Sequence, residues 1–320
     1  MDSITQAVLG AAIGESILGK KIGSKAALYG AILGSIPDFD VAFRLFFSPY
    51  EMLSIHRGYS HSILFSFLGA LFLSVVLKKL SPFKIIPSST IFLFSWLCLI
   101  THILLDAFTA YGTQLFLPFN DTRFGFDSIN VIDPFYTFPL LIGLFFSLKF
   151  FPNKSNRSSF TNYGLWISTF YLLLTLVHKE FVKEKFNHSF LEQKIAVKEL
   201  LTMPVGVANL NWYGVAKSKD SLYMQRYSLL GGLKSEIQSF PINEKYLQEV
   251  DPEMANTMRW FAKGFYTVDK VNNQVRIYNL QVDMRGIISD GTKLVPTAGY
   301  FTLQTKQSKT EFGSGTIKNK

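Results

Sequence analysis

The sequence predicts a polytopic α-helical membrane domain followed by a soluble α+β domain. Residues 1 to about 178 are mostly apolar and rich in Phe, Leu, Ile and Gly. Residues 179–320 have an ordinary soluble composition, with frequent Lys, Glu, Asp and Asn. Short basic clusters separate the apolar runs of the first part, as they do in the loops of membrane proteins. We therefore assign residues 1–178 to a multi-pass membrane domain and residues 179–320 to a soluble domain.

The net charge of +9 does not indicate a nucleic-acid-binding protein. Many basic residues lie in the short clusters between apolar runs, and no basic stripe is interleaved with aromatic residues as on nucleic-acid-binding surfaces. The chain has a single cysteine, Cys98, which lies inside an apolar run. One cysteine excludes an intramolecular disulfide and a cysteine-rich zinc site.

The first apolar segment, residues 4–19, is short for a membrane span, because about 20 residues are needed to cross the hydrocarbon. No charged stretch precedes it, so it does not resemble a cleaved signal peptide. We interpret its Glu15 as part of a tightly packed helix rather than of a functional site. Small residues spaced four apart in this segment and the next predict close helix packing. They are Gly10 and Gly14, and Gly30 and Gly34.

The second segment, residues 26–47, is interrupted at Pro37. Proline removes a backbone donor and disfavours helix at the preceding residue, so we expect the helix to end or kink near Ile36. Asp38 and Asp40 then lie on irregular backbone at membrane depth or at its edge, which is tolerated where it lines a cavity. The alternative is a plain turn or helix cap.

The third segment, residues 62–77, follows a loop that contains His56 and His61. Ser60 is a good N-cap residue and would place His61 in the first turn of the helix. A spacing of five does not put both histidines on one helix face, so we expect His56 to fold back from the loop. The alternative is a pair of interfacial histidines without a ligand role.

The fourth segment, residues 90–109, carries His102 and Asp106 four residues apart. This spacing places both side chains on one helix face. Imidazole and carboxylate can then bind one ion, or the carboxylate can orient the imidazole. A helix in lipid has little reason to hold two ionisable groups on one stripe unless they meet a partner.

The remaining apolar segments run from Asp133 to about residue 151 and over residues 164–178, which makes six in total. The three basic clusters then fall in the first, third and fifth loops, which the positive-inside rule places in the cytoplasm. The candidate site residues, Asp133 and the C-terminal domain would lie on the external side. The lysines that follow the sixth segment instead favour a cytoplasmic C-terminal domain. They are Lys179, Lys183 and Lys185. The clusters are Lys20, Lys21 and Lys25; Lys78, Lys79 and Lys84; and Lys149, Lys154 and Arg157.

In the C-terminal domain we predict strands and one helix but no catalytic constellation. Beyond His178, which we expect at an interfacial helix end, the only histidine is His188. The predicted strands cover residues 211–216, 222–230, 265–269, 274–280 and 299–304, and the predicted helix covers residues 243–263.

These motifs together resemble the bacterial membrane-bound metal-dependent hydrolase family, some members of which are described as inner-membrane hydrolases under damage-response control. The resemblance covers most of the first 140 residues and implies a metal-dependent hydrolase in the cytoplasmic membrane. One departure is Gln6, where members often carry histidine. The residues that carry the resemblance are 1–10, 37–40, 56–62, His102, Asp106, Thr109 and Gly112, with weaker likeness in 227–230 and 260–266.

Six residues are candidate metal ligands, which is more than one tetrahedral ion needs. Either two ions share them, or some orient ligands or act as a base. Imidazole and carboxylate ligands suit Zn, Mn, Fe or Ni, and we favour zinc, with manganese second. The six are Asp38, Asp40, His56, His61, His102 and Asp106.

The predicted reaction is hydrolysis of a lipid or phosphoester by metal-activated water at the outer membrane face. Arg57 could hold a phosphate or carboxylate of the substrate, and Asp133 could act as a base or anchor a ligand. The expected partners are the bilayer and a lipid-linked substrate; the sequence does not indicate an oligomeric state. Alternatives are a non-catalytic metal-binding membrane protein and a divalent-metal transporter. A transporter needs a polar path to the opposite face, for which only Glu15 and Gln6 are candidates.

Overall fold

The computed structural model has a helical N-terminal region followed by a C-terminal sheet domain. It describes residues 1–150, 156–233, 237–272, 274–282, 299–303, 305 and 312–316. Lys154 and Gln304, which belong to predicted elements, lie outside these ranges. One compact unit comprises residues 1–46 and 54–176, and the other comprises residues 47–53 and 177–320.

Seven α-helices and three short 3₁₀ helices cover most of the described part of the N-terminal region. The α-helices are α1 Ser3–Ile22, α2 Lys25–Ser35, α3 Met52–Ile55, α4 Ile63–Lys78, α5 Ser88–Ala107, α6 Pro134–Lys149 and α7 Ser159–Glu192. The 3₁₀ helices are Pro37–Leu45, Tyr59–His61 and Ser81–Phe83.

Two of these helices, α5 and α7, are long and apolar enough to cross a membrane. Two bent pairs pass the same test together: α2 with Pro37–Leu45, bent by 53°, and Met52–His61 with α4, bent by 56°. Helix α6 is apolar but shorter. The described residues thus contain two candidate spans, or four if each bent pair is one span, and six spans remain a prediction.

The break at Pro37 is confirmed, because α2 ends at Ser35 and the chain turns into the 3₁₀ helix Pro37–Leu45. The predicted cap at Ser60 is wrong. Helix α4 is capped by Ser62, whose side chain accepts a hydrogen bond from the Phe65 N–H at 3.1 Å. Ser60 instead donates to Asp40, because its segment forms a separate 3₁₀ turn before the helix.

Helices α1 and α2 pack backbone to backbone through their glycines, as predicted. A Cβ atom at Gly30 would overlap the carbonyl oxygen of Gly10, and a Cβ at Gly14 would overlap that of Ala26. Gly34 also has backbone of α1 within 3.0 Å of such an atom. Only glycine permits this approach, so these residues fix the separation of the two helices.

We expect Gly30→Ala to destabilise the protein by about 1–3 kcal/mol or more, because the added methyl group meets backbone that cannot rotate away. The measurement is unfolding of the detergent-solubilised protein. Gly69→Ala on α4 is the matched control, since the nearest atoms to its Cβ belong to side chains, Leu99 at 3.2 Å and Phe65 at 3.9 Å. Equal stability of the two variants would contradict the packing assigned to α1 and α2.

A buried ion pair connects α1 to the start of α7. The Arg157 Nε donates to Glu15 Oε1 at 2.6 Å, and Arg157 Nη2 donates to Glu15 Oε2 at 3.1 Å. Both side chains are buried. Arg157 lies in the predicted loop before α7, but it is buried and pairs with a carboxylate 142 residues away.

The C-terminal unit contains two antiparallel sheets. The first has the strand order β1-β2-β3-β4, with β5 also paired to β3, and the second has the order β6-β7-β8-β9. The strands are β1 Glu199–Val205, β2 Asn211–Lys217, β3 Ser221–Ser228, β4 Gly232–Leu233, β5 Gln238–Pro241, β6 Tyr266–Val271, β7 Gln274–Asn279, β8 Gly299–Leu303 and β9 Gly313–Thr316.

The strands predicted near β2, β3, β6, β7 and β8 are confirmed, but the single helix over residues 243–263 is wrong. The chain forms the 3₁₀ helix Glu244–Glu249 and then α8, Pro252–Phe261. Asp251 caps α8 by accepting from the N–H groups of Glu253 and Met254, and proline at the first helical position starts a new helix. Strand β1 was not predicted because its last five residues are all buried, which removes the alternation typical of strands.

Candidate metal centre

Four ionisable side chains from separate segments converge inside the N-terminal unit. Asp38 comes from the 3₁₀ helix Pro37–Leu45, His61 from the turn before α4, and His102 and Asp106 from α5. Each offers one ligand atom, and these four atoms lie within 4.8 Å of one another. The Asp38 side chain is 19% exposed and the other three are at most 1% exposed.

The donor atoms in this group are spaced like the ligands of one ion. Nε2 of His61 lies 3.3 Å from Nε2 of His102 and 3.3 Å from Oδ2 of Asp106. Oδ1 of Asp38 lies 3.5 Å from both Nε2 atoms. The His102 Nε2 to Asp106 Oδ2 distance is 3.8 Å, which confirms that the two residues share a helix face.

The spacings of 3.3–3.5 Å that involve Nε2 of His61 or Oδ1 of Asp38 are close to those of tetrahedral metal ligands. Zinc–nitrogen bonds of about 2.0–2.1 Å separate two tetrahedral ligands by about 3.3–3.4 Å. Oδ2 of Asp106 is also buried and accepts no hydrogen bond from the described residues. Arg57 Nε lies 3.1 Å from this oxygen but without hydrogen-bond geometry. A buried oxygen without a hydrogen bond is costly, and a metal ion held by the four groups would bind it. The buried His/Asp group could therefore bind a metal ion.

The second nitrogen of each imidazole is held by a neighbouring group. Nδ1 of His102 lies 2.6 Å from the carbonyl oxygen of Gly34, so it is the protonated nitrogen and donates to that oxygen. Nδ1 of His61 lies 2.9 Å from the Ser60 hydroxyl and 3.4 Å from Asp40 Oδ2. Such contacts fix the ring orientation and leave Nε2 as the ligand atom.

Gln6 of α1 and Met1, which precedes this helix, both contact the other oxygen of Asp106. Gln6 Nε2 donates to Asp106 Oδ1 at 3.1 Å and to the carbonyl of His102 at 3.3 Å. The amino nitrogen of Met1 also contacts Asp106 Oδ1. Gln6, where members of the hydrolase family that this chain resembles often carry histidine, thus lies beside the centre. Here it supplies a hydrogen-bond donor.

Asp40 and His56 lie outside the group of four. Asp40 accepts hydrogen bonds from the Arg57 backbone N–H at 3.0 Å and from Ser60 Oγ at 2.8 Å. His56 Nδ1 lies 2.8 Å from Asp40 Oδ1. The two residues therefore form a carboxylate–imidazole pair next to the four-residue group, and their ligand role remains a prediction.

Arg57 lies between the centre and the loop after α5. Its Nε is 3.1 Å from Asp106 Oδ2 without hydrogen-bond geometry, and its Nη1 donates to Thr109 Oγ1 at 2.9 Å. The Tyr111 ring contacts two guanidinium groups, with its centre 4.9 Å from that of Arg57 and 4.1 Å from that of Arg123. Burial lowers the pKa of the Arg123 guanidinium. Arg57 is thus a buried cation held by groups on several sides.

Asp133 has the contacts of a helix cap. Its Oδ1 accepts from the backbone N–H groups of Phe135 and Tyr136 at 3.0 and 3.4 Å, and its Oδ2 accepts from the Tyr171 hydroxyl at 2.7 Å. Burial raises the pKa of the Asp133 carboxyl, and these hydrogen bonds act in the opposite direction. Asp133 is not in the group of four, and its catalytic role remains a prediction.

Comparison with known proteins places this site in a membrane protein family. The profile of a family described as YdjM inner membrane protein matches residues 1–182, which include all four grouped residues. The chain belongs to this family. Membership supports a location in the bacterial inner membrane.

Two curated relatives have a similar sequence over part of the chain. The Escherichia coli (strain K12) inner membrane protein YbcI is 31% identical over 123 residues, which cover 38% of this chain and 69% of that protein. The Bacillus subtilis (strain 168) uncharacterized protein YfhP is 31% identical over 144 residues, which cover 42% of each chain. No solved structure matches.

Sequence reasoning missed the groups that orient the predicted residues. The carbonyl of Gly34 is a backbone group and carries no side-chain signal. Ser60 was assigned to a cap, although its position between Asp40 and His61 is visible only in three dimensions. Tyr111 and Arg123 lie in a polar loop, where an arginine and an aromatic residue are ordinary.

Proposed function

We propose that this protein is a membrane-bound metal-dependent hydrolase that acts on a lipid phosphoester. The observation that carries the proposal is the buried group of Asp38, His61, His102 and Asp106, with donor spacings that fit one ion. A mixed imidazole and carboxylate set suits zinc first and manganese second. A bound divalent ion would supply Lewis acidity and activate water at neutral pH.

The contacts of Arg57 favour a substrate that carries an anionic group. Its Nε and Nη1 face Asp106 and Thr109, whereas Nη2 has no hydrogen bond with the described residues. The Nη2 donors of this guanidinium can then bind a phosphate oxygen. We therefore assign Arg57 to binding the phosphoryl group beside the metal centre.

Exposed apolar residues on or next to the segments that carry the centre, and in the loop after α5, support a lipid substrate. We call these five residues the apolar rim, and each is 63–87% exposed. They are Phe39, Leu45, Phe46, Tyr59 and Phe119. Large exposed apolar side chains near a site favour membrane or ligand contacts. The polar head of a lipid would reach the metal while its acyl chain contacts the apolar rim. The basic clusters favour the external face of the membrane for this site.

We expect the purified protein, loaded with zinc or manganese, to hydrolyse 4-nitrophenyl dodecyl phosphate in mixed micelles. The matched substrate 4-nitrophenyl methyl phosphate should react at least about 10-fold more slowly, because each buried CH₂ contributes about 0.8 kcal/mol. Release of nitrophenol is the measurement, and a chelator should abolish it. Phe39→Ser and Tyr59→Ser should reduce the chain-length preference without loss of metal.

Other outcomes would favour the alternatives. Stoichiometric bound metal without turnover of either ester would support a non-catalytic metal-binding protein. Zinc uptake into proteoliposomes would support a transporter. The structure does not supply the polar path that a transporter needs through Glu15, because Arg157 pairs with both oxygens of that carboxylate.

A further inference from the structure

His56 combines a fixed ring with a nitrogen that is available to a ligand. Its side chain is 22% exposed, whereas those of His61 and His102 are 0% and 1% exposed. Nδ1 is held by Asp40 at 2.8 Å, and Nε2 makes no hydrogen bond with the described residues. His56 is thus the most accessible imidazole of this site.

Asp40 positions His56 and His61 together. Its Oδ1 contacts Nδ1 of His56, and its Oδ2 lies 3.4 Å from Nδ1 of His61. The Asp40 side chain is 1% exposed, and hydrogen bonds from the Arg57 backbone and Ser60 also hold it. The two imidazole rings lie 6.2 Å apart, centre to centre. One fixed carboxylate therefore sets the orientation of a grouped histidine and of a second histidine beside it.

We propose that His56 is the proton-transfer residue of the hydrolysis, positioned by Asp40, and not a metal ligand. The inference rests on the proposed hydrolase function. A carboxylate that holds Nδ1–H leaves the Nε2 lone pair free, which is the arrangement of a general base oriented by an acid. Tyr111 supports the ring from a further side, with ring centres 5.9 Å apart.

The proposed hydrolysis takes one proton from water and returns it to the leaving group. The oxygen of a water molecule forms a bond to phosphorus, and Nε2 of His56 accepts the proton that this water loses. The bond from phosphorus to the leaving oxygen breaks, and Nε2 passes the same proton to that oxygen, so that an alcohol departs. His56 returns to its starting state, and no further reactant is needed.

The test compares His56→Gln with wild type on two esters that share a dodecyl chain. Proton donation matters for a poor leaving group and little for a good one. We expect turnover of phenethyl dodecyl phosphate to fall by about 100–10,000-fold. Turnover of 4-nitrophenyl dodecyl phosphate should fall less, because this ester loses only the base and does not need the acid. His188→Gln is the control, since His188 is 73% exposed in the C-terminal unit, and both esters should react with it as with wild type.

Two readouts do not depend on activity. The zinc content of His56→Gln should equal that of wild type, whereas His61→Ala should lose zinc. Diethyl pyrocarbonate should modify His56 in the zinc-loaded protein but not His61 or His102, as mass spectrometry of peptides would show.

The outcomes separate the inference from the proposed function. Loss of zinc in His56→Gln, or protection of His56 from the reagent by zinc, would make His56 a ligand and overturn the inference. Equal losses on the two esters would also overturn it, because they would exclude proton transfer from His56 to the leaving oxygen. A zinc-loaded wild type without turnover would overturn the hydrolase proposal and the inference with it.

Discussion

His61→Ala and His102→Ala should each lose bound zinc, with affinity reduced by more than about 100-fold. Replacing a residue that only holds a ligand already costs about 10–100-fold in metal affinity, and each of these variants removes a ligand itself. The two Nε2 atoms lie 3.3 Å apart and form one edge of the predicted coordination. Turnover should fall in parallel with zinc content.

Elemental analysis of the proteins purified in detergent, followed by competition with a chelator, measures this effect. His188→Ala is the control, because it removes an exposed histidine that pairs with Glu192 at 3.4 Å. Unchanged zinc in both variants of the centre would leave the buried His/Asp group without a metal role. Loss in only one of them would point to a different ligand set.

The residues of this centre could be predicted from the sequence because ionisable groups are costly in apolar segments unless they have a partner. That argument selected Asp38, His61, His102 and Asp106 without knowledge of their neighbours. It also selected Asp40 and His56, because a sequence shows which groups need partners but not which partner each one finds. The structure separates four residues that face one point from two that pair with each other.

The sequence predicted correctly those elements whose conformation depends on the residue itself or its immediate neighbours. Pro37 ends α2 because it removes a donor, and the glycines of α1 and α2 allow backbone contact. Sequence-based prediction failed where distant contacts decide. Ser60 is a good cap residue but donates to Asp40, 20 residues away. Strand β1 is buried on both faces and has no alternating pattern.

Arg157→Met should destabilise the protein by about 3–5 kcal/mol, because it leaves the Glu15 carboxylate buried without its partner. The Glu15 side chain is fully buried, and both of its oxygens accept from Arg157. Unfolding of the detergent-solubilised protein measures the loss. Lys183→Met is the matched control on α7, since Lys183 pairs with Glu180 at 3.3 Å on the surface, and such pairs contribute at most about 1 kcal/mol.

The double variant Glu15→Leu/Arg157→Met distinguishes packing from transport. Replacing a buried ion pair by apolar residues is often neutral or stabilising, so most of the stability lost in Arg157→Met should return. If Glu15 belongs to an ion path, the double variant should fold but lose zinc movement across proteoliposomes. If it only joins α1 to α7, as its two hydrogen bonds to Arg157 indicate, the double variant should bind zinc and hydrolyse the ester like wild type.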